Sequence, residues 1–433
     1  MPDARSIACQ ILDAVLDDGK PLDTALAEHR AMSQLDPHDR AQTRRIVATV
    51  LRRLGEIDRR IADCLDRPLA GRHARVRNIL RAGTAELMFL ETPPHAAVDS
   101  AVRLAKSYRR GAFKGLVNAV LRRIGRESPA AAEDEESAGE RNTPNWLLQR
   151  WREIYGEQTA RAITDAHLNE APLDITLSAR ADPAEWAGKL DAEILPGGSL
   201  RRRTGGRVSE FAGFDDGLWW VQDAAASLPA KMLRDDAAAQ VIDLCAAPGG
   251  KTMQLADRGP NVTAVDISNG RLAQLQENLA RTGLPAEIVG ADATQWRPAD
   301  PVDAVLLDAP CTATGTIRRH PDIPRRRHEA DITNATALQD RLLLAAVNMV
   351  RPGGTIIYAV CSLEPEEGTS RIDALLASGA PVTLDPMSRD DWPELDGLDP
   401  AAITPAGTLR TLPCHWSERG GMDGFFAARL IRN

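Results

Sequence analysis

Between residue 4 and about residue 126, apolar side chains return every three to four positions: Ile7, Ile11, Leu12 and Val15, then Val76, Ile79, Leu80, Leu87 and Leu90. That period turns one face of each helix toward a core. β-rich runs are scarce here, and Pro21, Pro37, Pro68 and the pair Pro93 and Pro94 interrupt the pattern. Residues 1–126 are therefore predicted to form an all-α bundle of several short helices, with arginines on the outward faces. Periodicity vanishes over 127–142, where Glu, Ser and Ala dominate, and a solvated linker is expected. From Thr143 the spacing predicts a helix carrying Trp146, Leu147, Trp151 and Ile154, followed by short strands such as Leu173–Leu177. Together these give a small α+β insert over 143–218. Beyond Trp219 the pattern changes to strand, glycine turn and helix, with apolar runs at 241–244, 262–267, 304–307 and 355–360. Such alternation predicts an α/β domain with a doubly wound parallel sheet over 219–433. The chain is thus read as multidomain, and no internal repeat is evident.

A length of 433 residues exceeds what one hydrophobic core organises, which agrees with that division. The hydrophobic share of 43% and charged share of 26% are those of a globular chain and exclude the disordered and membrane classes. No apolar run reaches the roughly 18 residues of a spanning helix, and residues 1–10 lack the basic-then-apolar build of a signal peptide, so a cytoplasmic location is expected. Six cysteines without Cys-x-x-Cys spacing point to reduced thiols rather than a disulfide framework or a structural zinc site. The net charge of -8 argues at first against a polyanionic partner. Its distribution reverses that inference. Residues 1–126 hold 23 lysines and arginines against 15 acids, a net of +8, so the remainder carries -16. A basic module joined to an acidic one is compatible with nucleic-acid binding.

The candidate chemistry lies in the α/β part. Cys311 closes the run Val302-Asp-Ala-Val-Leu-Leu-Asp308-Ala-Pro-Cys311, and Cys361 closes Thr355-Ile-Ile-Tyr-Ala-Val-Cys361. If both runs are parallel strands, both thiols open onto the carboxyl-end crevice where such sheets bind ligands. Two thiols in one crevice suggest covalent catalysis. Upstream, Cys245-Ala-Ala-Pro-Gly-Gly-Lys-Thr252 forms a glycine-rich turn. A phosphate-binding loop of the Walker type would need glycine where Cys245 stands, and a dinucleotide fingerprint would need Gly-x-Gly-x-x-Gly, which is absent. What remains is a strand-to-helix turn whose backbone approaches a ligand, with Asp266 following Gly249 by 17 residues at the end of the next strand, where an acid suits ribose hydroxyls.

These motifs, with Leu-Asp308-Ala-Pro-Cys-Thr-Ala-Thr-Gly315, Arg318-Arg-His-Pro-Asp-Ile323, Val-Cys361-Ser and the terminal Asp423-Gly-Phe-Phe426, resemble those of the RNA cytosine-5 methyltransferases. More narrowly, nearly the full chain resembles the RsmB (Fmu/Sun) family, bacterial enzymes that methylate a cytosine of 16S ribosomal RNA. The N-terminal helices, with Lys114-Gly-Leu-Val-Asn-Ala-Val-Leu121 near their end, are similar to a NusB-like RNA-binding domain. The resemblance implies a Rossmann-like catalytic domain dependent on S-adenosylmethionine. Cytosine C5 is a feeble nucleophile, and a thiolate adding to C6 activates it. By resemblance Cys361 is that nucleophile, and Cys311 assists proton removal and product release. Asp308 is implied at the cytosine N3 or N4 edge, and a place beside the cofactor is implied for it equally. Cys245, Ala246, Ala247, Pro248, Gly249, Gly250 and Lys251 would wrap the methionine end of the cofactor, Asp266 its ribose and Asp292 its adenine. Lys251 would steady Asp308 or favour a thiolate. The implied partner is RNA, by resemblance 16S ribosomal RNA, engaged by a monomer with no metal and no membrane.

Plainer readings compete with these. Cys9, Cys64 and Cys414 are read as small buried hydrophobes and Cys245 as turn packing. Cys414-His415 has no second ligand pair and is discarded as a metal site. Arg318, Arg319, Arg325, Arg326 and Arg327, interleaved with His320 and His328, are expected to line an RNA backbone path, against the plain reading of a solvated loop. The chain departs from the family pattern at Val360, where a threonine commonly precedes the nucleophile, and at Thr176-Leu-Ser-Ala-Arg180, which replaces an Arg-x-Asn strand. Alternatives are cytosine-5 methylation of another RNA such as transfer RNA, a non-catalytic RNA-binding scaffold, and amino-group methylation. The last usually goes with an Asn-Pro-Pro-Tyr type turn, which Asp308-Ala-Pro-Cys311 is not.

Overall fold

Asp3 and Asp36 stand just ahead of the first apolar positions of two helices, and each caps its helix. In the computed structural model the Asp3 carboxylate accepts from the Ser6 N–H at 2.7 Å and that of Asp36 from the Asp39 N–H at 2.8 Å, with Pro37 in the first turn. The structure describes residues 3–108, 111–127, 136–203, 205–233, 239–388, 392 and 398–433. The chain divides into two compact units: Met1–Asn169 with Arg319–Arg327, and Glu170–Arg318 with His328–Asn433.

The first unit is helical: α1 (Ala4–Leu16), α2 (Leu22–Glu28), α3 (Pro37–Arg52), α4 (Leu54–Ala62), α5 (Ala74–Met88), α6 (Pro94–Ser107) and α7 (Lys114–Arg126), followed by α8 (Ala138–Asn142), α9 (Asn145–Tyr155) and α10 (Glu157–Ala166). Ile7, Ile11, Leu12, Val76, Ile79 and Leu80 are buried in one core, as their spacing predicts. Each such side chain contributes about 1.5–3 kcal/mol by leaving water. The stretch expected as a solvated linker differs. Residues 128–135 lie outside the described residues, but Ser137 opens α8 with a capping box to Glu140, and Gly139, Glu140 and Asn142 are buried. Asn142 bonds back to the start of α4, giving 2.6 Å to Glu56 Oε2 and receiving the Glu56 N–H at 3.1 Å. Polar side chains therefore hold this helix, a signal that apolar periodicity does not carry. Helices α9 and α10, read as the start of the insert, also group with the first unit.

The second unit holds two sheets. Strands β1 (Leu173–Leu177), β2 (Glu193–Ile194), β3 (Leu200–Arg202) and β4 (Trp219–Val221), with α11 (Pro183–Leu190), form a small antiparallel sheet in the order β2-β3-β1-β4. After α12 (Ala224–Lys231) come β5 (Gln240–Leu244), α13 (Gly250–Ala256), β6 (Asn261–Asp266), α14 (Asn269–Thr282), β7 (Glu287–Gly290), β8 (Val302–Asp308), α15 (Ile323–Arg326), α16 (Glu329–Met349), β9 (Val350–Val360), α17 (Thr369–Ala377), β10 (Val382–Leu384), β11 (Leu409–Arg410) and β12 (Phe426–Arg432). The large sheet runs β10-β12-β9-β8-β5-β6-β7, with β11 on β12. Strands β9, β8, β5, β6 and β7 are parallel, as expected. The edge is not: β12 pairs antiparallel with both β9 and β10, so the sheet is mixed. The chain returns from β11 to its antiparallel neighbour β12 through residues 411–425 without an α-helix, and so escapes a reading built on alternation.

The turn between β5 and α13 is pinned from beneath. Asp243, fully buried in β5, accepts a 2.6 Å hydrogen bond on Oδ2 from Thr252 Oγ1 in α13, while its Oδ1 has no partner among the described residues. Burial pushes this carboxyl up to about 7, a shift that the Thr252 bond opposes. A folded-state pKa above that of the unfolded chain means that folding binds a proton here. The contribution to stability is full below the unfolded value of 3.8 and is lost as pH rises through about 7. Asp243→Asn, which is neutral throughout, is expected to flatten the fall in melting temperature between pH 5 and pH 8, measured by scanning calorimetry against the wild type. Equal pH slopes for both proteins would contradict it.

Candidate active site

Strands β8 and β9 are parallel neighbours with Asp308 opposite Ala359 and Leu307 opposite Tyr358. Because they end nearly level, the residues beyond them share one edge of the sheet. The Ala309 N–H donates to Ala359 O at 2.8 Å, and the Gly315 N–H to Cys361 O at 3.0 Å. The result is a thiol pair: Cys311 Sγ lies 3.4 Å from Cys361 Sγ, and both residues are half-buried. The hydrogen bond to Cys361, and then burial, push the Cys311 thiol well above the usual range.

Beside the pair stands a charged couple. Lys251, in the first turn of α13, places Nζ 2.8 Å from Asp308 Oδ2, with the lysine side chain 8% exposed and the aspartate 32%. The other side of that ammonium faces the Phe425 ring, 5.1 Å from its centroid. The glycine turn that carries Lys251 uses left-handed backbone at Cys245 (φ 61°) and Gly249 (φ 104°), a conformation that glycine adopts without strain. Burial raises the Cys245 thiol, and its side chain packs against the large-sheet core, which agrees with turn packing. Asp266, at the end of β6, is buried. Its Oδ2 accepts the Ala247 N–H at 3.1 Å and its Oδ1 the Ser268 N–H at 2.9 Å, tying the glycine turn to the exit of β6. Asp292 follows β7, separated from β8 by β5 and β6, and its Oδ1 accepts the Thr294 Oγ1–H and N–H, which hold its carboxyl below the usual range. Cys361, Cys311, Asp308 and Lys251 are thus brought together at the β8–β9 end, while Asp266 and Asp292 lie toward β6 and β7.

The terminal Asp-Gly-Phe-Phe motif forms the floor. A Cβ on Gly315 would stand 1.9 Å from Gly424 O, so the loop after β8 and the loop before β12 touch through bare backbone. Phe425 supports Lys251, and Phe426 packs edge-on to Tyr358 with Arg410 over its ring. Asp423 is fully buried, its N–H on Asp223 Oδ1 at 3.1 Å.

Arg318, Arg325 and Arg326 have other employment than the expected RNA path. Arg318 is 1% exposed and pairs with Asp223 at 3.2 Å and Asp423 at 3.5 Å. Residues Arg319–Arg327 belong to the first unit. There the buried Asp322 carboxylate accepts the Leu22 N–H at 3.1 Å, Arg326 donates to Gly19 O at 3.0 Å and Arg325 to Asn142 O at 2.5 Å, and His320 lies 3.3 Å from Asp23. Arg319 and His328 are exposed. Thr176 and Arg180, where the chain departs from the family pattern, serve the second unit internally: Thr176 bonds Gln222 at 2.9 Å and Arg180 bonds Thr282 O at 2.9 Å.

Sequence reasoning passed over the polar residues just behind the thiols. Thr312, Ser362, Gln339 and Glu367 are buried and hydrogen-bonded to one another. Their signal was adjacency: Thr312 follows Cys311, and Ser362 followed by Glu364-Pro-Glu-Glu367 follows Cys361.

A family model described as 16S rRNA methyltransferase RsmB/F matches residues 230–431, and one for the NusB family matches residues 2–126. The ribosomal RNA small subunit methyltransferase B of Klebsiella pneumoniae subsp. pneumoniae is 34% identical, over 99% of this chain and 98% of that one. Its counterpart in Xanthomonas campestris pv. campestris is 38% identical, over 99% and 97%. The crystal structure of PH0851 superposes with a TM-score of 0.77 over 99% of both chains at 24% identity, a likeness of fold. With a NusB-type helical region followed by a Rossmann-like, S-adenosylmethionine-dependent methyltransferase domain, and relatives matching from end to end, the chain belongs to the ribosomal RNA small subunit methyltransferase B family.

Proposed function

We propose that this protein methylates C5 of a cytosine in 16S ribosomal RNA through a covalent bond between Cys361 Sγ and cytosine C6. Family membership supports the coarser reaction, methyl transfer to small-subunit ribosomal RNA. The observation that carries the finer reading is the thiol pair, 3.4 Å apart, beside the Lys251–Asp308 couple. Amino-group methylation needs no thiol, and a scaffold needs neither.

Cytosine C5 becomes nucleophilic when Cys361 adds to C6 and the C5–C6 π pair moves onto C5. S-adenosylmethionine supplies the electrophilic methyl group. After transfer, a base in the crevice takes the C5 proton, the electron pair of that C–H bond re-forms the C5–C6 double bond, and the C6–S pair leaves with Cys361 as thiolate. Cys311, held well above the usual range by its bond to Cys361 and by burial, stands 3.4 Å from Cys361 Sγ. At that separation Cys311 is placed to assist the release of Cys361 after transfer. Asp308, held by Lys251 through Oδ2, is placed to accept a hydrogen bond from the N3 or N4 edge of the ring and so to orient the base.

The chain's own residues fit the methyl donor. The turn from Cys245 to Lys251 offers close backbone, Asp266 ends β6 with a buried carboxylate, and Asp292 keeps both hydrogen bonds on Oδ1, leaving Oδ2 for a ligand. Hydroxyl and amino groups of a nucleoside suit that acceptor set. The target base must leave its stack to reach the sulfur, as in other base-modifying enzymes.

Bisulfite sequencing of ribosomal RNA, from cells lacking the gene and complemented with wild type or Cys361→Ala, tests the reading. One 16S cytosine should regain protection with the wild type only; protection restored by Cys361→Ala would end the nucleophile assignment. The Cys311→Ala variant, incubated with RNA and S-adenosylmethionine, should accumulate a protein–RNA adduct that survives a denaturing gel. Free protein alone on that gel would remove Cys311 from the release step.

A further inference from the structure

One carboxylate grips the residues that follow both thiols. We propose that Glu367 is a positioning residue that sets the separation and mutual orientation of Cys311 and Cys361; this rests on the thiol chemistry proposed above. Glu367 ends the short turn Pro365–Glu367 and has no exposed surface. Its Oε1 accepts the Thr312 N–H at 2.8 Å and Gln339 Nε2–H at 3.2 Å. Its Oε2 accepts the hydroxyls of Thr312 and Ser362 in short hydrogen bonds. Thr312 follows Cys311 and Ser362 follows Cys361, so a single group spans the two loops that present the sulfurs. Two further bonds brace it: Tyr358 on β9 donates its hydroxyl to Glu367 O at 2.6 Å, and Gln339 also donates to Pro310 O at 2.9 Å, just before Cys311.

The choice of a carboxylate has a physical reason. All four donors to the side chain are neutral, and only a carboxylate offers enough lone pairs to accept them all. Burying its charge is costly unless it is fully hydrogen-bonded, and bonds to an ionised acceptor in a low-dielectric interior are the strong, directional kind. The charge also acts on the pair: Cys311 is raised first by its bond to Cys361 and by burial, and the neighbouring Glu367 adds to that.

Phenylarsine oxide reports the geometry of the pair without methyl-transfer chemistry. Its arsenic bonds two close sulfurs at once, as two thiol protons and the arsenic-bound oxygen leave as water. The full-length wild type should capture one arsenical per chain at Cys311 and Cys361, located by peptide mass spectrometry, and Cys311→Ala should not. In Glu367→Gln, capture should slow about tenfold, and kcat should fall by roughly 10–100-fold with KM for RNA little changed, the range seen when supporting shells are loosened. Thr312→Val should show the same defect and Thr312→Ser should recover most of the rate, which keeps the test decisive if Glu367→Gln fails to fold. Wild-type capture rates in folded Glu367→Gln or in Thr312→Val would overturn the proposal. Slowed capture in a protein whose Cys361→Ala form still transfers methyl groups would support the clamp while removing the nucleophile assignment.

Discussion

Everything at the reactive end depends on two parallel strands ending side by side. With Asp308 opposite Ala359, the chain leaves β8 and β9 at the same height, and the next few residues of each must share one edge. Backbone contact then holds them there: Gly315 bonds Cys361 O, and Gly424 bonds Gly315 O at 2.8 Å. A side chain at Gly315 or Gly424 would strike backbone or Leu363 within 2.4 Å, so both glycines are fixed by close approach. A one-residue slip in the pairing would turn every side chain of β9 to the opposite face and part the sulfurs.

The small sheet is fastened to the same region by buried charge. Asp174 on β1 holds Arg201 on β3 in a two-pronged pair at 2.7 Å, and its Oδ2 also accepts the Ala224 N–H at 3.0 Å. Arg201 continues to Gly421 O at 2.7 Å, two residues before Asp423, which meets Asp223 and Arg318. Removing one partner of such a group strands a charge in the interior and costs about 3–5 kcal/mol. This explains why Arg318, which looks on paper like an RNA-binding residue, is built into the interior. It is the link that carries the network from the loop after Cys311 to the Asp-Gly-Phe-Phe floor.

Legibility in the sequence followed the type of force. Apolar period gave the helices of residues 4–126 and the parallel strands β5, β6, β8 and β9, because burial leaves a pattern that can be read one residue at a time, whereas the half-exposed β7 carries too little of it. Strand β1 was read at its observed limits. Features held by polar or long-range contacts were not legible in that way. Helix α8 is short and fixed by Ser137, Glu140 and Asn142, strand β12 joins antiparallel where alternation suggested parallel, and Arg325 and Arg326 bond within the helical unit. At the site, the strand ends, both cysteines, Asp308 and Lys251 were visible as motif and spacing. Glu367 was not, since its partners stand 5, 28 and 55 positions away and only the fold makes them neighbours.

The division of the crevice follows from the strand order. The acids suited to a nucleoside stand at β6 and β7, the thiols stand at β8 and β9, and β5 lies between them. Lys251 rises from the turn after β5 and bonds Asp308 at the end of β8, so one ion pair joins the cofactor-binding turn of the proposed mechanism to the wall around the base. In a partly water-excluded site such a pair keeps its orientation while charge moves on the ring, and a preoriented dipole needs no rearrangement at the moment of reaction. Phe425 beneath the ammonium makes that face apolar and leaves the carboxylate as its polar partner. The Asp-Gly-Phe-Phe segment, far from the cysteines in sequence, thereby helps to fix the Lys251–Asp308 pair beside them.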